Sequence, residues 1–397
     1  MEIWNESWIT AFLEKVKRNG NSWNGRFAHV GLEANGDYRL NNGGMWTDSF
    51  WVGIFYLSYM LTGSREFLNT AENYQPYYKK RVKDDRSLRD IPDFVGLDHD
   101  AGFIFTLSQV ANWKLTGNRE ARAIALEAAD VLASRFNNQG AFIRAFDPWS
   151  WETDQKSIYE KRGRFIVDSM MNLPLLYWAY QETGDKGLLR IANLHAESVK
   201  RHIIREDGST FHVYQMDPDT FLPVKGMTGQ GYSDLSCWAR GQAWAVYGFA
   251  VAYSYSHITT FLEAAVQAAD YILAHLPQSG ILPWDFAALH NTFCPWDSSA
   301  QAVAAAGMLE LHEQTGQEKY RKGARMLLKA LHALCDVTEH KELACLLLHG
   351  CVGPAYAEGN EAVIINPYID VPTPYGDYFY AESVCRLCMG DKFIRFW

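Results

Sequence analysis

The stretch VDSMMNLPLLYWAYQETGDKGLLRIANLHAESVKRHI, residues 167–203, sets the reading of the whole chain. Up to Tyr180 it is apolar or aromatic almost all round, and a helix of that kind must be buried on every side. Thr183-Gly184 then marks a stop, because glycine adopts the left-handed conformation that ends helices. Beyond it, polar and charged residues recur at helical spacing, which predicts one wet face. The stretch therefore reads as a helical hairpin: a buried helix, a short turn and an amphipathic helix.

The same pattern returns along the chain. Copies begin at Trp46, His99, Trp238 and Trp296, and a truncated sixth begins at Tyr375. Thr62-Gly63, Thr116-Gly117 and Thr315-Gly316 stand where Thr183-Gly184 stands. The sixth copy lacks its second helix. The N-terminal segment, with Trp4, Trp8, Ile9, Phe12, Leu13 and Val16 along one side, can supply it. Six buried helices ringed by six half-exposed ones predict an all-α fold, an (α/α)6 barrel. An open solenoid would call for more repeats and polar caps. Short β-strands are expected in the connecting loops, including a hairpin within residues 208–224. No Gly/Ser-rich or Pro-rich linker interrupts the pattern, so residues 1–397 read as a single domain.

Composition narrows the function. The net charge of −9 and the lack of a long Lys/Arg block argue against a nucleic acid or an anionic membrane as partner. No apolar run reaches 18 residues, so no transmembrane helix is expected. The first twenty residues do not resemble a secretory signal, which with Met1 native predicts a cytoplasmic protein; a leader removed ahead of Met1 would make it periplasmic. The 14 Trp, 21 Tyr and 21 Phe fit either a bulky core or an aromatic surface in a cleft. Seven cysteines, clustered in the C-terminal half, do not form a disulfide framework, and Cys385-x-x-Cys388 falls on a helical pattern and reads as buried thiols. The twelve histidines show no ligand spacing, and Gly229-Gln230-Gly231 is too short for a dinucleotide loop. Neither metal nor cofactor is expected.

The repeat places Asp48, Asp100, Asp168, Asp297 and Asp377 at the heads of five inner helices and Arg240 at the head of the fourth. If the inner helices run parallel, these residues converge on one barrel mouth, rimmed by Trp46, Trp51, Trp238, Trp244 and Trp284. Aromatic faces and carboxylates together suit a sugar. Each aspartate has a structural alternative as a helix cap or loop pin. Asp168 lies between Phe165-Ile166-Val167 and Met170-Met171, where water is scarce, and Asp100 is the natural second carboxylate. Burial and a neighbouring carboxylate both raise a carboxyl pKa, which is how an acid stays protonated near neutral pH. Capping and catalysis both remain open for Asp168 on spacing alone. Arg240, between Trp238 and Trp244, is either a clamp for a substrate carboxylate or the partner of a ring aspartate.

These residues carry a resemblance. NNGGMWTDSFWVG (41–53), LDHDAGF (97–103), FIVDSMMNLPLLYWAYQETGD (165–185), FHVYQMDP (211–218), GQGYSDLSCWARGQAWAVYGFA (229–250), ILPWDF (281–286), DSSA (297–300) and YGDYFY (375–380) resemble, in order and across nearly the whole chain, the unsaturated glucuronyl hydrolases of glycoside hydrolase family 88. The resemblance implies an (α/α)6 barrel without metal or organic cofactor. It also implies a part in polysaccharide degradation: a glycosidase that removes the 4,5-unsaturated uronic acid from the non-reducing end of lyase-generated oligosaccharides, by hydrating its double bond. The substrates would be fragments of glycosaminoglycans or other uronic-acid polysaccharides, and the protein a monomer or homodimer. By motif match Asp168 is the general acid/base, and Asp100 is the second carboxylate, which binds the uronate and tunes Asp168. His212, Gln230, Trp238, Arg240 and Trp244 match substrate-contacting positions, and Trp46 an aromatic wall.

Three departures concern the leaving-sugar side or its rim. Phe146 replaces a tryptophan of relatives, the segment after His349-Gly350 is longer and lacks their tyrosine and sulfate-binding stretch, and Tyr375 replaces a tryptophan. Alternatives are an unsaturated rhamnogalacturonyl hydrolase, an N-acyl-sugar epimerase, which needs a histidine pair at the mouth, and an inactive carbohydrate-binding barrel, against which the retention of both aspartates argues.

Overall fold

The structure is a computed structural model that describes residues 4–31, 35–88, 96–147, 152–290, 294–353 and 368–397. In chain order the helices are α1 Glu6–Trp23, α2 Phe50–Thr62, α3 Arg65–Glu72, α4 Gln75–Leu88, α5 Ala101–Phe105, α6 Ala111–Thr116, α7 Arg119–Ser134, α8 Gln155–Lys161, α9 Leu173–Thr183, α10 Lys186–His202, α11 Ala239–Ser256, α12 Thr259–Ala274, α13 Ser298–Thr315, α14 Glu318–Leu334 and α15 Pro374–Met389. A π-helical turn, Thr106–Val110, joins α5 to α6 into one inner helix.

The inner wall consists of α2, α5–α6, α9, α11, α13 and α15. Each packs on the next, and α15 packs back on α2, which closes the ring. The physical cause lies in the sequence: α11 is buried from Ala239 to Ala252 and α13 from Ser298 to Leu311, so neither has a face for water. The outer helices bury only one stripe, as α7 does with Ala121, Ile124, Ala125, Ala128 and Leu132. The chain therefore folds into the (α/α)6 barrel that the repeat predicts.

The hairpin turns repeat in detail. Gly63, Gly117, Gly184 and Gly316 all take positive φ between 68° and 75°. Just before each, a threonine hydroxyl donates to the carbonyl four residues back and accepts the backbone N–H two residues on. In the fourth copy Ser256 and His257 take these places, with His257 at φ 55°.

The N-terminal helix completes the sixth unit. Trp8 stacks on Phe12, and both Trp4 and Trp8 meet Tyr380 of α15 edge-on. Lys15 Nζ donates to the carbonyls of Val337 (2.7 Å) and Cys345 (2.6 Å), and Asn19 to that of Ala344 (2.8 Å).

The short strands are β1 Phe27–His29, β2 Arg39–Asn41, β3 Phe136–Asn137, β4 Phe142–Ile143, β5 Arg164–Ile166, β6 Val213–Met216, β7 Pro223–Met227, β8 Gly350–Cys351 and β9 Ile369–Val371. All pair antiparallel. The hairpin expected within 208–224 is β6–β7, and it runs three residues further than expected. β5 adds to it as a third strand, which positions the site.

Among the described residues no helix is long and apolar enough to cross a membrane, and no cluster of side chains has metal-ligating geometry. All seven cysteines are free; Cys385 is buried and Cys388 exposed.

Candidate active site

The heads of the inner helices meet at one end of the barrel. Trp46, ahead of α2, stacks on Tyr375 at the head of α15 (5.0 Å between ring centroids), and Arg240 in the first turn of α11 reaches Asp297, the N-cap of α13, at 2.5 Å.

A strand ladder, not a helix, positions Asp168. Ile166 of β5 pairs with Val213 of β6, and the Val167 N–H donates to the His212 carbonyl at 3.0 Å. Asp168 and His212 thereby leave the ladder side by side. Asp168 then sits in a 3-10 turn, Val167–Met171, ahead of α9. Gly248 of α11 lets that turn approach: a Cβ there would lie 2.4 Å from Met170 Cβ. Gly102 does the same for the other carboxylate, since a Cβ on it would lie 2.2 Å from Asn172 Cα. Helix and turn thus bring Asp100 and Asp168 together across Asn172.

Asn172 ties the pair. Its Oδ1 accepts from the Phe103 N–H at 2.7 Å, and its Nδ2 faces Asp100 Oδ1 and the Asp168 carbonyl, each at 3.4 Å. Neither carboxylate caps a helix. Asp100 stands at the N-cap of α5 without a capping bond, and the cap positions beside Asp168 belong to Ile166 and Asn172. The capping alternative therefore fails for both.

The electrostatics follow from burial. Desolvation pushes the Asp168 carboxyl up to about 7, opposed by Arg240 and by the Trp244 indole, which is near but outside hydrogen-bond geometry. Asp100 is raised well above the usual range by burial, then by Asp98 and Asp168. Two carboxylates this close to each other and this dry hold at least one proton at neutral pH.

His212 has a defined tautomer. Its Nδ1 accepts the N–H groups of Gly229 (3.1 Å) and Gln230 (3.2 Å), so the ring proton sits on Nε2, 3.5 Å from Asp168 Oδ2. Burial lowers its pKa to about 3, and the ring is neutral. His99, neutral for the same reason at about 4, contacts Ser169 Oγ at 3.2 Å and lies 3.7 Å from Asp100.

Arg240 takes the ion-pair alternative. Besides Asp297, it donates to the carbonyls of Cys351 and Val352, both at 2.6 Å, and lies 4.4 Å from the centroid of Trp238 and 5.1 Å from that of Tyr375. The Gln230 side chain also donates to the Val352 carbonyl.

The expected ring of carboxylates and tryptophans needs correction. Asp48 pins the Gly44-Met45 loop and binds Tyr77 and Arg81. Asp377 accepts the Leu346 and Leu347 N–H groups and the Tyr38 hydroxyl. Short polar side chains at helix heads satisfy backbone donors first, and only Asp100 and Asp168 escape that duty. Trp51 is not at the mouth: it packs on Trp23 of α1 at 4.9 Å. Trp284 is buried, with its N–H on the Gln230 carbonyl. Trp46 is half-buried, and Trp238 and Trp244 are buried.

Sequence reasoning missed Asn172 and His99, although both lie inside quoted motifs. Asn172 stands there between Met171 and Leu173 and His99 next to Asp100, and neither place predicts a side-chain direction. Phe146 lies edge-on to His99 at 6.0 Å. Of the longer segment after His349-Gly350, residues 354–367 lie outside the described residues.

One set of atoms decides what the site can do. Asp168 Oδ2, His212 Nε2, Trp238 Nε1, Trp244 Nε1 and Tyr375 Oη are all buried without a hydrogen-bond partner among the described residues. Four donors around one protonated acid fit an oxygen-rich, acidic ligand. Residues 15–356 match Glycosyl Hydrolase Family 88. The chain belongs to this family. It is 35% identical over 394 residues to an unsaturated glucuronyl hydrolase of Bacillus sp. (strain GL1), covering 98% of this chain and 97% of the relative. It is 33% identical to an unsaturated chondroitin disaccharide hydrolase of Streptococcus pyogenes serotype M1, covering 94% and 88%. The crystal structure of the unsaturated glucuronyl hydrolase from Bacillus sp. GL1, responsible for the degradation of glycosaminoglycan, superposes with a TM-score of 0.85 at 33% identity, over 96% of each chain. The resemblance read from the motifs and the barrel read from the repeat thus meet in one family.

Proposed function

We propose that this chain is a single catalytic domain that removes a 4,5-unsaturated uronic acid from the non-reducing end of oligosaccharides left by polysaccharide lyases. The observation that carries the reading is the raised carboxyl of Asp168 among four unpartnered donors. Protonated Asp168 gives its proton to C4 of the vinyl ether, and positive charge develops at C5 and the ring oxygen. Water adds at C5 and returns a proton to the Asp168 carboxylate. The hemiketal opens at its C5–O bond. C1 becomes an aldehyde, and the linked sugar leaves with its hydroxyl. Charge develops on the sugar ring, so the work of the site is to hold the uronate and to keep one proton in a dry place.

The donors divide the task. His212 Nε2–H faces Asp168 and the substrate edge, while the Trp238 and Trp244 indoles supply neutral hydrogen bonds. Arg240 is committed to Asp297 and two carbonyls and acts through its charge. Names of relatives such as unsaturated chondroitin disaccharide hydrolase support hexosamine-linked substrates over rhamnose-linked ones. An epimerase reading gains a second histidine in His99, yet both rings are neutral, and Nδ1 of His212 is already filled by two N–H groups.

The test is the loss of the ultraviolet absorbance of the conjugated double bond when unsaturated disaccharides of chondroitin, heparin, ulvan, gellan and pectin are added. Loss with at least one hexosamine-linked member is expected. No loss with any member defeats the proposal, and turnover of rhamnose-linked members alone moves the chain to the rhamnogalacturonyl class.

A further inference from the structure

Five groups form a row at the mouth: His212 tilted against Trp238 (4.4 Å), Arg240 over Trp238 (4.4 Å) and over Tyr375 (5.1 Å), and Tyr375 stacked on Trp46 (5.0 Å). Tyr375 is fully buried between a guanidinium and an indole. Phenylalanine would fill that slot equally well. The hydroxyl adds nothing to the stack, and it has no partner among the described residues. A buried hydroxyl without a partner costs about 1–3 kcal/mol; Tyr378 of the same helix carries another, but the Tyr375 hydroxyl is the one near Asp168 and Arg240.

The Tyr375 oxygen lies in the electrostatic neighbourhood of Arg240, Asp297, Cys351 and Asp168, at the same helix heads that carry the other unpartnered donors. Burial keeps the phenol protonated well beyond neutral pH, so it is a lasting donor. Relatives carry tryptophan at this place by motif match, which put the position toward the leaving sugar; its contacts with Trp46 and Arg240 and its nearness to Asp168 place it beside the acid instead, where a phenol presents a shorter side chain with an O–H at its tip.

We propose that Tyr375 is a further substrate-binding residue, whose hydroxyl donates a hydrogen bond to an acceptor oxygen of the bound unsaturated uronyl group beside Trp46. This rests on the function proposed above. The role is distinct from that of its ring, which only stacks.

Tyr375→Phe separates the two, because it keeps the ring and deletes the donor. In the full chain, assayed by absorbance loss on the best unsaturated disaccharide, KM is expected to rise about tenfold with kcat within twofold. In the same preparation without substrate, the melting temperature is expected to stay equal or to rise, since an unpartnered hydroxyl has been removed. An unchanged KM overturns the proposal. So does a melting temperature lower by several degrees with KM unchanged, which assigns the hydroxyl to the fold. If the wild-type chain turns over no unsaturated disaccharide, the functional reading itself fails and Tyr375 falls with it. Wild-type turnover with an indifferent variant removes Tyr375 alone.

Discussion

The barrel holds two clusters of buried charge, one at each end. At the mouth, Asp100 and Asp168 stand close together, and several of the polar atoms around Asp168 have no partner. About 18 Å down the inner wall, twelve residues along α13, Glu310 is buried more deeply still, with no exposed surface where Asp100 and Asp168 each keep 15%. There Arg386 donates to Glu310 at 2.7 Å, Arg395 also binds it, and Gln314 donates at 2.9 Å. Glu382 beside them accepts the Trp397 indole at 2.8 Å and the Tyr247 hydroxyl. Both carboxylates lose water, but their protons respond in opposite ways: arginines hold Glu310 below its ordinary range, and burial pushes Asp168 up to about 7. Burial of charge alone therefore does not mark an active site in this molecule. What sets the mouth apart is a raised carboxyl with four unpartnered neutral donors around it.

The largest expected effect breaks the mouth. Asp168→Asn should lower kcat by about 1000-fold, measured by absorbance loss, because it removes the acid and its conjugate base together. The fold should gain from it. Asp168 moves from an ordinary 3.8 to about 7 on folding. At low pH, folded and unfolded chains both hold the proton and the group is neutral to stability. As pH rises past the unfolded value, the unfolded chain ionises first, so stability falls with pH until the folded value is passed. Asp168→Asn should therefore stabilise by on the order of 4 kcal/mol at pH 8 and hardly at pH 4, measured by denaturant unfolding. In the parent, activity should fall as pH rises through about 7, where the acid loses its proton. A flat profile across that range would remove Asp168 as the acid.

The far end should answer inversely. Glu310→Gln takes the anion from Arg395 and leaves Arg386 only Glu382 at 3.4 Å and Glu313 at 3.7 Å, at a cost of about 3 kcal/mol. Thermal unfolding should show it, while kcat/KM of the folded fraction stays within twofold. Because Glu310 is lowered on folding, its contribution is full above the ordinary glutamate range and disappears as pH falls through its folded value. Equal damage to activity and stability from Glu310→Gln would show that the two ends are coupled.

The smallest expected effect sharpens the mouth itself. Asn172→Ala should lower kcat about tenfold with KM little changed, and should move the pH profile, because the amide that sits between Asp100 and the Asp168 turn is lost. A change in KM alone would make Asn172 a contact rather than a positioning residue.

How much of this was legible depended on what each feature needs. The inner helices were readable because total burial writes itself into every turn of a helix, and the Thr-Gly turns because left-handed backbone has a short roster of residues. Asp168 was readable as an anomaly, a carboxylate inside an apolar run. Asn172, His99 and the fate of Arg240 were not, since a side chain's direction and partner depend on packing between elements far apart in sequence. Trp51 shows the converse error: an aromatic at a helix head was placed at the rim, while its ring turned outward to Trp23.

The way the ring is closed bears on how the protein is made. Trp8, Lys15 and Asn19 of the N-terminal helix find their partners in Asp336, Val337, Ala344, Cys345 and Tyr380, more than 300 positions later. The first stave to leave the ribosome is thus among the last to be seated. Until then its row of apolar side chains has no groove to enter, and the nascent barrel stays open like an unhooped cask. Synthesis rate and chaperone cover should therefore govern the yield of this protein more than its final stability does.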